Sequence, residues 1–307
     1  MQQGEKSVYK SVDDMSETTN PNLSGVAETS LITLNIRAME SQRPDALIKD
    51  KRAEALVRQL DQETLHNTLA LTEDFTRLVV ILKTRDFDRF AQDFLRRHPE
   101  AVVVHIGCGL DTRFERVGCN QPDNGQAEWF DLDLPEIIEL RRRFIGDEEK
   151  RYHLLGCSIL EDAWLETVAV YCPRPLLFLA EGVFMYFKEA QVKSLVLRLQ
   201  NRFPGAELVF DAFSPFLRWS HNIKVARTRV GAPLHWALKH PRELEGWSGP
   251  STSLRTSSPS TSFRAGPIRL LDERFPFQYP EPRIRRALKM RLVPFLAKGI
   301  GVFRYQL

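Results

Sequence analysis

A short apolar segment that runs into a glycine turn constrains the fold of this chain more than any other feature. Residues 102–106 read Val-Val-Val-His-Ile, and such a β-branched run is typical of a buried parallel strand. A Gly-Cys-Gly turn follows at 107–109, and Asp111 and Thr112 suit the start of a helix. Because glycines without a Cβ atom let a ligand lie against the backbone, the pattern predicts the cofactor-binding corner of an open α/β sheet.

The residues around this turn distinguish between classes of cofactor. A dinucleotide-binding loop has the pattern Gly-x-Gly-x-x-Gly, but Thr112 stands at the third glycine position when counted from Gly107. No P-loop lysine follows the turn, which argues against a nucleoside triphosphate. A nucleoside cofactor without a phosphate fits better, and S-adenosylmethionine is the common one. The alternative is a tight strand–helix turn that binds no ligand.

Two acidic residues follow at the distance expected of a ribose-binding side chain. The segment 128–135 reads as a second strand, and within it Asp131 and Asp133 lie 22 and 24 residues past Gly109. An acid at the tip of the neighbouring strand can accept hydrogen bonds from both ribose hydroxyls. The pattern does not decide between the two aspartates, and Asp133 could instead serve only as a helix cap.

Further apolar segments extend the predicted sheet. Strands are expected at 152–156, 175–180 and 206–213. Glu181 directly follows the middle one, where its carboxylate can stabilise a sulfonium or an ammonium group. Residues 299–307 alternate in polarity and are expected to form a last, antiparallel strand near the sheet edge.

Four blocks between Glu28 and about Phe216 resemble the leucine carboxyl methyltransferase family. The nearest resemblance is to its bacterial branch of polyketide O-methyltransferases of the tetracenomycin type. The blocks are residues 29–45, 83–90, 107–113 and 180–187. The resemblance implies a Rossmann-like class I methyltransferase, an α/β fold with a seven-stranded, mostly parallel sheet flanked by helices. It also implies S-adenosylmethionine as the cofactor and a cover of N-terminal helices over it.

The resemblance assigns roles to individual residues. Arg85 matches the arginine that grips the cofactor carboxylate, a task that suits a planar guanidinium. Ser158 and Ile159 match residues that hold the adenine, although some relatives have an aspartate at the position of Ser158. The expected cofactor-binding residues are Arg85, Gly107, Gly109, Asp111, Asp131, Asp133, Ser158, Ile159 and Glu181. The expected catalytic residues are Glu181 and Tyr186, the latter matching a tyrosine of the reaction pocket.

The chain is expected to divide into a tail, a helical cover and a core. Residues 1–26 are polar and predicted to be disordered, 27–98 have a helical pattern, and 99–307 form the methyltransferase core. Ten of the 21 residues in 247–267 are Ser or Thr, which predicts a flexible insertion. A basic amphipathic helix predicted at 282–296 reads as a solvated face, or as a contact for acidic partners or a membrane surface.

Composition argues for one enzyme domain. A chain of 307 residues with 43% hydrophobic content can bury a substantial core, and a net charge of +3 is too small to imply nucleic-acid binding. Without a long apolar run or a signal-peptide stretch, we expect a cytoplasmic protein that has no membrane contact. The cysteines and histidines show no metal-ligand spacing, so no metal is expected. The oligomeric state stays open.

The expected reaction is methyl transfer to a carboxylate or phenolic oxygen of a small, polyketide-like molecule. A carboxylate is already ionised near neutral pH, whereas a phenol, with a pKa of about 10, would benefit from a general base. One alternative is methylation of the C-terminal carboxylate of a protein. Another is a catalytically silent module that binds the cofactor and contacts partners through its basic helix and Ser/Thr-rich segment.

Overall fold

A seven-stranded sheet lies at the centre of the computed structural model, which describes residues 26–60, 74–119, 126–228, 232–247, 255–259 and 299–307. Its strands are β1 (Val102–Ile106), β2 (Glu128–Asp133), β3 (Tyr152–Gly156), β4 (Leu176–Ala180), β5 (Glu207–Phe213), β6 (Arg255–Pro259) and β7 (Ile300–Gln306). Their order in space is β3-β2-β1-β4-β5-β7-β6. The first five are parallel, and β7 runs antiparallel to both β5 and β6. The predicted mostly parallel sheet and its antiparallel last strand are thereby confirmed.

Burial of the central strands explains their sequences. All five residues of β1 and all five of β4 are buried. A parallel strand between two helical layers has no solvent face, so nearly every position in it is apolar. One apolar cluster lies on each face of the sheet, with Val104 and Phe178 in one and Val103 and Leu177 in the other.

Helices flank the sheet and cover its carboxyl edge. They are α1 (Val26–Ser41), α2 (Lys51–Val57), α3 (Asp74–Arg97), α4 (Arg113–Arg116), α5 (Pro135–Phe144), α6 (Ala163–Ala169), α7 (Glu189–Arg202) and α8 (Pro215–Thr228). Short 3₁₀ helices lie at Phe184–Tyr186 and Glu243–Gly246. The first three helices occupy the span expected to form the N-terminal cover. Leu34 of α1 and Leu56 of α2 share an apolar cluster with Leu110, so the cover packs directly on the glycine turn.

The Ser/Thr-rich segment 247–267 differs from its sequence-based interpretation. Residues Arg255–Pro259 form β6, which pairs with β7 instead of lying in a loop. The outer edge of β7 offers unpaired backbone groups, and backbone pairing does not require an apolar side chain, so composition alone missed this strand. The rest of that insertion from residue 248 on, the predicted tail up to residue 25 and the predicted basic helix at 282–296 lie outside the described residues.

Candidate functional site

A cavity of about 630 Å³ opens at the carboxyl ends of the parallel strands. It lies where the strand order reverses between β1 and β4, the usual ligand position in an open α/β sheet. Its volume falls in the range of small-molecule sites, roughly 300–1,000 Å³. We call its two ends the glycine half, lined by Gly107, Gly109, Asp133, Ser158, Ile159 and Glu181, and the apolar half, lined by Val79, Val80, Met185, Phe187, Phe213 and Leu217.

The two glycines of the turn have conformations and surroundings that exclude a side chain. Gly107 and Gly109 have φ angles of +63° and +51°, in the left-handed region. A Cβ atom at Gly107 would lie 2.4 Å from Cγ2 of Val183, and one at Gly109 would lie 2.8 Å from Oγ of Ser30. Both glycines line the cavity, so the turn forms a close-fitting cradle of bare backbone.

The structure separates the two aspartates that the sequence left equivalent. Asp133 ends β2 and lines the cavity, and its Oδ2 accepts a hydrogen bond from the Gly109 amide at 2.8 Å. Burial raises the pKa of Asp133. Asp131 is not among the lining residues, is 1% exposed, and accepts hydrogen bonds from Tyr152 and Trp129 at 2.7 and 2.9 Å. The side chains of Asp131 and Asp133 point to the same face of β2, but only Asp133, the last residue of the strand, reaches the cavity.

Four further expected residues, Asp111, Ser158, Ile159 and Glu181, line the glycine half of the cavity. Oε2 of Glu181 lies 2.6 Å from Nη2 of the buried Arg113. The carboxylate of Asp111 is bound by Arg113 and Arg116 at 3.0 and 2.7 Å. Its charge is therefore already balanced by protein side chains.

Tyr186 lines the cavity, as do Glu181 and Lys83. Burial raises the pKa of Tyr186, so its hydroxyl remains protonated at neutral pH. The side chain can therefore donate a hydrogen bond into the cavity, but it is a poor base.

In the block that contains the expected Arg85, the basic residue that lines the cavity is Lys83, two positions earlier. Lys83 lines the cavity, and its Nζ lies 2.9 Å from Oδ2 of the buried Asp211. Although burial lowers the pKa of Lys83, Asp211 and Glu181 outweigh it and raise the pKa. Arg85 is not among the lining residues, and its guanidinium lies 3.6 Å from Asp86. Two residues along a helix turn the side chain by about 200°, so only one of this pair can face the site.

Several lining residues had no role in the sequence interpretation. Ser30, Thr33 and Arg37 of α1 line the glycine half, and His221 and Lys224 of α8 line the apolar half. The α1 residues lie in a block that carries the family resemblance, but its pattern does not reveal which helix face points inward. The α8 residues lie outside that resemblance, in a helix without a recognised motif.

His221 has a defined tautomer. Its Nε2 lies 3.1 Å from the carbonyl oxygen of Ala232, which can only accept a hydrogen bond. Nε2 therefore carries a proton, and in the neutral ring Nδ1 has the lone pair.

The comparisons with known proteins agree with this geometry. The leucine carboxyl methyltransferase family matches residues 30–200. The tetracenomycin polyketide synthesis O-methyltransferase TcmP of Streptomyces glaucescens is 37% identical over 224 residues, covering 73% of this chain and 79% of its own length. The S-adenosyl-L-methionine-dependent methyltransferase dpfgK of Gibberella zeae is 33% identical over 239 residues, covering 73% of this chain and 78% of its own.

A solved structure supports the fold. A Thermobifida fusca YX protein assigned as a methyltransferase superposes with a TM-score of 0.52 at 14% identity, covering 90% of this chain and 93% of its own. At that identity the likeness concerns the fold alone.

The sheet order, the glycine cradle and the relatives together define a class I methyltransferase that depends on S-adenosylmethionine. Within that class, the chain belongs to the leucine carboxyl methyltransferase family. Among the described residues, no helix is long and apolar enough to cross a membrane. The same part of the chain contains no group of three or more His, Cys, Asp or Glu side chains that could hold a metal ion.

Proposed function

We propose that the protein transfers the methyl group of S-adenosylmethionine to an oxygen atom of a small molecule bound in the apolar half of the cavity. The observation that carries the proposal is the continuity of the cavity, in which Gly107 and Asp133 at one end and Leu217 at the other line a single space. A cofactor and an acceptor can therefore meet there without an intervening wall. The word O-methyltransferase in the name of the relative TcmP supports oxygen as the acceptor atom.

The residues of the glycine half fit the parts of this cofactor. We assign the ribose to Asp133 and the methionine part to the cradle of Gly107 and Gly109. We assign the adenine to Ser158 and Ile159.

Charged residues that line the cavity would hold the charged end of the cofactor. Glu181 would face its amino and sulfonium groups, and Lys83 replaces Arg85 as the group proposed to face its carboxylate. When bound, the cofactor supplies an activated methyl group, so the work left to the protein is alignment, which in well-oriented reactions lowers barriers by roughly 7–11 kcal/mol.

The apolar half is suited to a molecule with an apolar body and a few oxygen atoms. Its aliphatic and aromatic walls would bury such a body, as in most small-molecule sites. Tyr186 can donate a hydrogen bond to the acceptor. A carboxylate acceptor is already ionised and needs no general base. For a phenol, the lone pair on Nδ1 of His221 would provide the general base.

Cofactor binding tests the first half of the proposal. Isothermal titration of the folded protein with S-adenosylmethionine and with S-adenosylhomocysteine should show binding of both, and Asp133→Ala should weaken it. A folded wild-type protein that binds neither compound would contradict the proposal.

Transfer of a labelled methyl group tests the second half. The protein is incubated with labelled cofactor and a panel of aromatic acids and phenols, and the label should enter the small-molecule fraction. Label recovered only in added proteins would instead favour methylation of a protein carboxylate. Because esters are cleaved by mild base and phenolic ethers are not, base treatment of the product distinguishes the two acceptor groups.

A further inference from the structure

Backbone carbonyls of the glycine turn are held by arginines from distant parts of the chain. Arg37 of α1 donates from Nη2 to the carbonyl oxygen of Leu110 at 2.7 Å. Arg141 of α5 donates from Nη1 to the carbonyl oxygens of Gly109 and Asp111 at 2.7 and 2.8 Å. Both arginines are buried. The path of the backbone from 109 to 111 therefore depends on two side chains outside the turn.

The side chains of the turn are held in the same way. Asp111 binds Arg113 and Arg116, as described above, and the Thr112 hydroxyl lies 2.7 Å from Oδ1 of Asp50. Nη1 of Arg116 also lies 2.8 Å from Oδ2 of Asp50. Asp50 comes from the segment just before α2, so the N-terminal cover is bonded to the turn itself.

Asp50 is the point where these contacts meet. Its fully buried carboxylate accepts hydrogen bonds from Thr112, Arg116, the Arg37 Nε at 3.0 Å and the Ala53 amide at 2.9 Å, the last of which caps α2. Burial alone would raise the pKa of Asp50, but Arg116 and Arg37 outweigh it and hold the pKa below its ordinary value. An ionised carboxylate with four donors fixes α1, α2 and the turn relative to one another.

We propose that Asp50 is a positioning residue for the cofactor, which sets the glycine turn against α1 through Thr112 and Arg116. The proposal rests on the function given above. Its geometric basis is that the turn and α1 form two sides of the glycine half, where Ser30 of α1 lies so close to Gly109 that a Cβ atom would not fit. A small shift of the turn relative to α1 would therefore change the shape of the space that holds the cofactor.

A purely structural role for Asp50 predicts a different outcome, and Glu54 provides the matched control. Glu54 is also a buried carboxylate of the cover, and its Oε1 accepts a hydrogen bond from the Ser41 hydroxyl at 2.5 Å. Its ion pairs are with Lys51 and Arg58 of the same segment. Glu54 thus joins α1 to α2 as Asp50 does, but these bonds stay within the cover.

The experiment compares Asp50→Asn, Thr112→Val and Glu54→Gln in the full chain. S-adenosylhomocysteine affinity is measured by isothermal titration, stability by thermal unfolding, and amide exchange at 107–112 without any ligand. Since a buried charged contact is lost, we expect Asp50→Asn to raise Kd by about tenfold or more and Thr112→Val by about threefold. We expect Glu54→Gln to lower the melting temperature but to leave Kd within about twofold of the wild-type value. Exchange at the turn should accelerate in the first two variants only.

The measurements decide whether Asp50 positions the glycine turn. Unchanged exchange at the turn in Asp50→Asn, or an equal loss of affinity in Glu54→Gln, overturns the positioning role. If Asp50→Asn does not fold, Thr112→Val carries the test, because it removes the hydroxyl contact and keeps the side-chain volume. If the wild-type protein binds no cofactor, the proposed function fails, while ligand-free exchange still decides whether Asp50 positions the turn.

Discussion

Nη2 of Arg113 lies 2.6 Å from Oε2 of Glu181, and this contact joins the helix after the glycine turn to the end of β4. The same guanidinium donates from Nε to Asp88 at 2.8 Å and from Nη1 to Nε2 of His105 at 2.8 Å. His105 must therefore accept at Nε2 and carry its proton on Nδ1, which faces Asp131 at 3.3 Å. Arg113 thus orients Glu181, which lines the cavity, and connects it through His105 to Asp131, which does not line it.

Replacing this arginine should cost more stability than replacing an exposed one. We expect Arg113→Met to lower the free energy of unfolding by about 3–5 kcal/mol, because it leaves buried carboxylates without their partner. The matched control is Arg97→Met at the more exposed pair with Glu207, for which we expect a loss of about 0–1 kcal/mol. Urea unfolding followed by circular dichroism measures both, and equal losses would contradict the expectation.

Whether Lys83 or Arg85 of α3 contributes to cofactor binding can be tested by replacing each in turn. We expect Lys83→Met to weaken S-adenosylhomocysteine binding about tenfold or more and Arg85→Met to leave it nearly unchanged, because only Lys83 lines the cavity. Lys83→Met also leaves Asp211 buried without its ion-pair partner, so the double variant with Asp211→Asn separates affinity from stability. It should recover part of the lost stability but not the affinity. The idea fails if Arg85→Met weakens binding as strongly as Lys83→Met.

Cofactor affinity should depend on pH through Asp133. Burial raises its pKa, and the Gly109 amide, Arg141 and His105 offset this only in part. If Asp133 binds the ribose as proposed, its ionised form is the one that accepts two hydrogen bonds, so affinity should decrease as the pH falls, starting above the ordinary aspartate pKa of about 3.9. Isothermal titration from about pH 8 down to about pH 4 should show this decrease in the wild type and not in Asp133→Asn, and parallel affinity profiles in the two proteins would exclude Asp133 as the titrating group.

The opposite sign is expected for the contribution of Asp133 to stability. Because its pKa in the folded state is above the unfolded value, ionised Asp133 destabilises the fold at neutral pH, and this cost is relieved as the pH falls through the raised pKa.

The glycine cradle can be tested with a glycine of similar conformation elsewhere. Gly107 and Gly205 have φ angles of +63° and +87°, but a Cβ at Gly205 meets no atom within 4 Å. We expect Gly205→Ala to cost about 1–2 kcal/mol from the left-handed backbone alone, with cofactor affinity unchanged. Gly107→Ala adds the clash with Val183 and should lose more stability and most of the affinity, as measured by thermal unfolding and isothermal titration. Equal stability and affinity in the two variants would show that the cradle is not close-fitting.

Local patterns were sufficient to predict most of the sheet. The β-branched run of β1 and the alternation in residues 299–307 predict a buried parallel strand and an antiparallel last strand, because strand patterns reflect which faces are buried. The strand β6 escaped prediction, since its Ser- and Thr-rich residues are held by backbone pairing with β7.

By itself, the sequence determined the glycine turn, the acids that follow it and the family to which the chain belongs, because each depends on residues close together along the chain. Only the tertiary structure shows that Asp133 and Lys83 line the cavity, whereas Asp131 and Arg85 do not. Each difference depends on which side chain reaches a space formed by several strands and helices. The tertiary structure also brought Asp50 to Arg116, since a buried charge is stable only where folding supplies its partners.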